Sequence, residues 1–134
     1  MPGPRLVVRF MNGSVAKGYT SDFLPERQIF HLTAFDAKPG TPARQVYLKA
    51  CKAIFFVKNY YGDPGHRELQ QFSTPPKGSG RKIRVRFKDC EVLVGTTHGY
   101  DPGRLGFFVF PADVTSNNYR SFVIIDAVSD VSFL

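Results

Sequence analysis

In Lys82-Ile83-Arg84-Val85-Arg86-Phe87-Lys88 apolar and basic residues alternate one by one, the period of a strand with one buried face. A matching stretch, Arg5 to Phe10, opens the chain, and Asn12-Gly13 behind it predicts a tight hairpin turn. Lys88-Asp89 begins the corresponding turn further on. Return strands are expected at Val15–Thr20 and Glu91–Thr97. Loops containing Pro25 and Pro102 lead to third strands at Ile29–Ala34 and Gly106–Phe110. The last strands fall at Gln45–Lys49 and Ala53–Val57, and at Phe122–Asp126 and Val131–Leu134. Short strands at this spacing, with turn residues between them, predict a small antiparallel barrel. One helical pattern, His66–Phe72, is followed by a Ser/Pro/Gly-rich tether over Ser73–Gly80.

The strand pattern occurs twice because the sequence does. Shifting residues 5–57 by 77 positions lays them on 82–134 without a gap, with 13 identities in 53 positions. Val8, Arg9 and Phe10 meet Val85, Arg86 and Phe87, and Gly18, Phe30, Val46 and Phe56 meet Gly95, Phe107, Val123 and Phe133. Such spacing predicts one small unit built twice. The expected fold is all-β: residues 1–57 and 82–134 as tandem five-stranded barrels in a pseudo-twofold arrangement, joined by a linker over 58–81. Identity at equivalent apolar sites marks a shared core, so Val8, Phe10, Phe30, Phe56, Val85, Phe87, Phe107 and Phe133 should be buried.

Two motifs carry a family resemblance. Phe10-Met11-Asn12-Gly13, followed after four residues by Gly18, resembles the first motif of Sm-like proteins, the bacterial Hfq-type RNA chaperones in particular. Val46-Tyr47-Leu48-Lys49-Ala50 with Ala53–Val57 is similar to their second motif. In copy two Val123–Ala127 replaces the basic run, and the family's amino-terminal helix has no room before Leu6. The resemblance implies an Sm/SH3-like barrel and places Tyr47, Lys49 and Lys52 where such proteins line an RNA pocket. Leu48-Lys49-Ala50 with Phe55–Lys58, and Gly106-Phe107-Phe108 with Asn117-Asn118, also look like an uncharacterised bacterial domain family, which brings no chemistry with it.

The formal charge of +7 is uneven: +5 on residues 1–57, +2 on 58–81 and zero on 82–134. A basic excess suits an anionic partner. Lys82, Arg84, Arg86 and Lys88 share one strand face with about 6.8 Å between neighbours, close to phosphate spacing on an extended single strand. Arg5 and Arg9 extend that set into copy one. The alternative is a solvated outer face. Phe55, Phe56, Tyr60 and Tyr61 beside Lys58 suggest either a base-stacking platform or a core strand followed by an interface between the copies.

Cys51 and Cys90 occupy non-equivalent places, which predicts two reduced thiols. His31, His66 and His98 share no ligand spacing, and no cofactor or metal is expected. Met1 to Phe10 holds only a three-residue apolar run, and no stretch approaches the ~18 apolar residues of a membrane span. The expectation is a soluble cytoplasmic protein without enzymatic activity. It would bind RNA or another single-stranded nucleic acid through Arg5, Arg9, Tyr47, Lys49, Lys52, Lys82, Arg84, Arg86 and Lys88. The alternative is a protein-interaction or regulatory module that uses, or self-associates through, its barrel edges.

Overall fold

Among its described residues the protein is all-β, with ten antiparallel strands in one open sheet. The computed structural model describes residues 3–62, 80–113 and 115–134, so the helix expected at His66–Phe72 lies outside the described residues. The strands are β1 (Arg5–Phe10), β2 (Val15–Tyr19), β3 (Ile29–Ala34), β4 (Arg44–Tyr47) and β5 (Cys51–Val57), then β6 (Arg81–Phe87), β7 (Val92–Thr97), β8 (Gly106–Pro111), β9 (Asn118–Ile124) and β10 (Val128–Phe133). Short 3-10 turns, Leu48–Ala50 and Ile125–Ala127, separate β4 from β5 and β9 from β10. The expected strands ran on through Lys49 and Asp126; the chain instead tightens from Leu48 and Ile125, and the Cys51 amide donates to the Leu48 carbonyl.

Strand order across the sheet is β10-β6-β7-β8-β9-β5-β1-β2-β3-β4. Each half therefore has the same internal order, 5-1-2-3-4 and 10-6-7-8-9. The registers also repeat at the offset of 77. Leu6 faces Gly18 as Ile83 faces Gly95, and Phe30 faces Val46 as Phe107 faces Val123. Even the register slip at the end of β1 recurs, skipping Lys52 in one half and Ser129 in the other.

The halves join through β5 and β9, in register from Ala53↔Val123 to Phe56↔Arg120, with a shift that skips Tyr119 before Val57↔Asn118. This differs from the expected pseudo-twofold docking, which would bring equivalent strands together. β5 is equivalent to β10 and β9 to β4, so the junction is head-to-tail. Both junction strands have neighbours on each edge and are covered on each face, and their apolar runs, Ala53–Val57 and Phe122–Ile124, show it.

Two apolar clusters flank the junction, and each takes residues from both halves. Leu6, Val8, Phe10, Phe30, Val46, Ile54 and Phe56 pack with Phe122 and Ile124. Ile83, Val85, Phe87, Phe107 and Val123 pack with Ala53. Of the eight residues expected in the shared core, seven are buried. Phe133 is 38% exposed while its equivalent Phe56 is 1% exposed. β9 covers Phe56, whereas β10 ends the sheet.

Two glycine positions are dictated by the backbone. Gly13 has φ +89° in the first hairpin turn, and Cys90, its equivalent, holds φ +75°. Gly18 and Gly95 are needed for closeness: a Cβ would lie 2.1 Å from the Thr33 carbonyl oxygen and 1.9 Å from that of Phe110. Neighbouring strands thus approach too closely for any side chain.

Candidate binding cleft

The outer face of β1, β2 and β5 presents Val7, Arg9, Lys17, Phe55 and Val57. Registers Val7↔Lys17 and Val7↔Phe55 place these side chains on one surface. The second half overhangs that surface with the β6–β7 turn, Glu91–Leu93, and the loop before β9, Thr115–Asn118. Residues 58–62 form the remaining wall. The open cleft has a volume of about 580 Å³, within the range of small-molecule pockets.

The wall at 58–62 is held by asparagines from both halves. Asn59 Oδ1 accepts from the amides of Tyr61 at 3.0 Å and Gly62 at 2.6 Å. Asn117 Oδ1 accepts from the Asn59 amide at 3.1 Å, and Asn117 Nδ2 donates to the Asn59 carbonyl at 2.9 Å. The Lys58 amide donates to the Asn117 carbonyl at 2.7 Å, and the Arg5 guanidinium to the Lys58 carbonyl at 3.1 Å. Pinned in this way, Tyr61 stands 77% exposed at the rim, while Tyr60 packs on Phe35. Burial pushes the Tyr60 phenol above its ordinary pKa, against the opposing pull of Arg5.

Cations and rings are interleaved. The Arg9 guanidinium lies 5.9 Å from the Phe55 ring centre, and the Lys17 ammonium 5.9 Å from that of Tyr61. Both are cation–π distances. The acid on the rim is already matched. Lys52 Nζ donates to Asp89 Oδ2 at 2.7 Å and Glu91 Oε1 at 2.8 Å, and lies 4.7 Å from the Phe87 ring centre. Hydrogen bonding from Lys52 holds the Asp89 carboxyl below its ordinary pKa.

The cleft gathers only part of the set read from sequence. Arg9 lines it, and Phe55, Tyr60, Tyr61 and Lys58 of the aromatic run join it. Arg5 braces the wall from behind. Lys52 differs most from expectation: it is buried, and its ammonium is engaged by two carboxylates. Lys82, Arg84 and Arg86 lie on the exposed face of β6, with Lys88 in the turn beyond. Arg86 sits opposite Asp130. Tyr47 and Lys49 are exposed near the far end of the sheet, remote in strand order from β6. Sequence reasoning missed Lys17, Asn59 and Asn117. The pair Asn117-Asn118 stood out as a motif, but its partner Asn59 became visible only once β5 and β9 were adjacent.

One further polar pair lies away from the cleft. His31 Nδ1 is 2.6 Å from Asp22 Oδ2, and the His31 amide donates to Asp22 Oδ1 at 2.9 Å. Burial would raise the Asp22 pKa, but the His31 and Thr20 hydrogen bonds outweigh it and the net shift is downward. The pair ties the loop after β2 to β3. Among the described residues no group of three His, Cys, Asp or Glu side chains is placed to hold a metal ion. No helix among them is long and apolar enough to cross a membrane.

A family model matches residues 3–134, nearly the whole chain, under the description "Family of unknown function (DUF6982)". The chain belongs to this family. No curated protein and no solved structure matches it. The match to DUF6982 spans both halves of the sheet and brings no function with it.

Proposed function

We propose that the chain is a non-enzymatic binding module that takes single-stranded nucleic acid, RNA in particular, in the cleft between its halves. The observation that carries this reading is the interleaving of Arg9 and Lys17 with Phe55 and Tyr61 on one concave surface. Bases stack on exposed rings whatever their sequence, and cations beside the rings meet the phosphates. Tyr61 is the leading stacking platform because its ring is the most exposed. Lys52 serves the site indirectly, by neutralising Glu91 on the rim. The matching order of strands within each half supports describing the halves as tandem Sm/SH3-like barrels, a finer statement than the open sheet itself.

The test is fluorescence anisotropy with a short mixed-sequence RNA at two salt concentrations. Affinity should fall by about 0.7 log units per neutralised phosphate for each tenfold rise in salt. Arg9→Glu with Lys17→Glu should weaken binding to all sequences alike, since phosphate contacts position without specifying. Tyr61→Ala should cost about 1–3 kcal/mol. Absence of salt-sensitive binding at low salt would refute the reading and favour a protein-interaction module using the sheet edges.

A further inference from the structure

The interface inside this chain is heterologous: β5 of the first half pairs with β9 of the second. The offset of 77 turns β5 into β10 and β9 into β4. Among the described residues those are the two strands that end the sheet. The molecule therefore displays, at its opposite ends, second instances of both sides of its own junction. We propose that β10 of one copy pairs with β4 of the next in the register of the β5–β9 junction, so that copies of this chain assemble head to tail. A heterologous contact of this kind yields a ring where the rotation closes and an open chain where it does not.

The internal register assigns the pairs. Ala53↔Val123, Ile54↔Phe122, Phe55↔Ser121 and Phe56↔Arg120 become Asp130↔Val46, Val131↔Gln45, Ser132↔Arg44 and Phe133↔Ala43. The edge is ready to receive a strand. The Leu134 amide donates to the Lys82 carbonyl at 3.0 Å. Strand alternation then turns the Ser132 amide towards β6 and the amides of Val131 and Phe133 towards the open edge.

Three observations favour a second copy as occupant. First, the core of the second half lacks what the first half's core receives. Phe122 and Ile124 cross the junction to pack beside Phe56, whereas Phe133 has only the Tyr100 ring and the Arg81 guanidinium against it and stays 38% exposed, and no strand covers it or the half-buried Val131 among the described residues. Tyr47, the equivalent of Ile124, is 53% exposed at the other end of the sheet. Assembly would carry it over that gap. Secondly, the edges are complementary in charge: Asp130 and Arg44 would lie diagonally on one face, within reach of each other. Thirdly, the cleft is repeated in half. Arg84 and Arg86 occupy the positions of Val7 and Arg9 on the cleft floor. The next copy's residues 14–16 and 38–41, equivalents of 91–93 and 115–118, would overhang them as a second basic cleft. Polar residues at Asp130, Ser132 and Gln45, where the internal junction has Ala53, Phe55 and Phe122, make this contact weaker than the internal one and reversible.

Sedimentation velocity over a dilution series tests the assembly without reference to nucleic acid, so its failure is separable from failure of the binding reading. Mass should rise with concentration in multiples of the chain. Val131→Pro should abolish the rise while leaving far-ultraviolet circular dichroism unchanged, because that amide is not used by β6. Register is tested in a Cys90→Ser background. Arg44→Cys with Ser132→Cys places both thiols on one face and should give disulfide-linked multiples. Gln45→Cys with Ser132→Cys places them on opposite faces and should not. A single monomer mass at every concentration overturns the proposal and leaves the edges to a strand from a different protein. Equal cross-linking by the two cysteine pairs, or association without the in-register cross-link, overturns it as well.

Discussion

Replacing Lys52 with Met separates a structural from a ligand-binding role for this residue. Its ammonium makes two charge-assisted hydrogen bonds, to Asp89 and Glu91, across the join between the halves. Bonds of that kind contribute about 1.5–3 kcal/mol each in buried settings. Here the lysine is only 10% exposed, but the carboxylates are 55% and 50% exposed and regain water when it is removed. Solvent screening therefore discounts the pair strongly. Met keeps the apolar stem against Phe87, so the expected loss at pH 7 is about 1–2 kcal/mol. The pH dependence follows from Asp89, whose folded-state pKa is lowered below the ordinary 3.8 by hydrogen bonding from Lys52. Its contribution is fully present above the unfolded value and is lost as pH falls through the folded one. Below that point wild type holds a buried ammonium beside a neutral Asp89, and the variant does not. Urea denaturation at pH 7 and at a pH well below 3.8 should thus show the deficit of Lys52→Met shrinking as Asp89 takes up its proton. A deficit that is the same at both pH values would refute the ion-pair account.

Gly18→Ala and Gly95→Ala should each cost about 3 kcal/mol or more in urea denaturation, because the new methyl meets a strand backbone that has nowhere to go. Gly13→Ala, with positive φ but open space around it, should cost only about 1–2 kcal/mol, and equal losses at the three sites would contradict the close-approach argument. Burial pushes the Cys51 thiol up to about 12, and Cys90 is exposed. A thiol-reactive chromophore should therefore label one cysteine in the native protein and two in denaturant, and rapid native labelling of both would place Cys51 outside the core.

The strands were legible in the sequence because each exposes one face: the alternation in Arg81–Phe87 became β6, with Ile83, Val85 and Phe87 inward. The repeat was legible because the shared core imposes the same residues twice. The relation between the halves was not. Nothing in local periodicity says that Ala53 pairs with Val123 and not with its own equivalent, since pairing between elements far apart in sequence is set by tertiary packing. The cleft inherits that limit. Arg9 and the rings could be nominated from their types, but Lys17 reads as an ordinary strand lysine until Val7 and Phe55 are seen beside it. Lys52 was misleading for a related reason. Its charge suggested a surface, while the register slip that skips it turns the side chain towards Asp89 and Glu91.

The places where the two copies differ are informative for the same reason. β5 and β10 descend from one pattern, yet one reads Cys51-Lys52-Ala53-Ile54-Phe55-Phe56-Val57 and the other Val128-Ser129-Asp130-Val131-Ser132-Phe133. A strand covered on both faces is apolar except where a buried charge is paired, as Lys52 is with Asp89 and Glu91, whereas a strand at the sheet's end can carry Asp130 and Ser132 and gains protection from indiscriminate pairing by doing so. β9 and β4 diverge alike, Ser121-Phe122-Val123-Ile124 against Arg44-Gln45-Val46-Tyr47. The substitutions thus follow position in the ten-stranded sheet and not drift between copies. Complete guarding would also have replaced the apolar residues at the rim. Phe133 and Tyr47 remain, half-exposed on opposite edges and equivalent to the buried Phe56 and Ile124, and with them the edges keep the register of the internal junction while losing most of its apolar content.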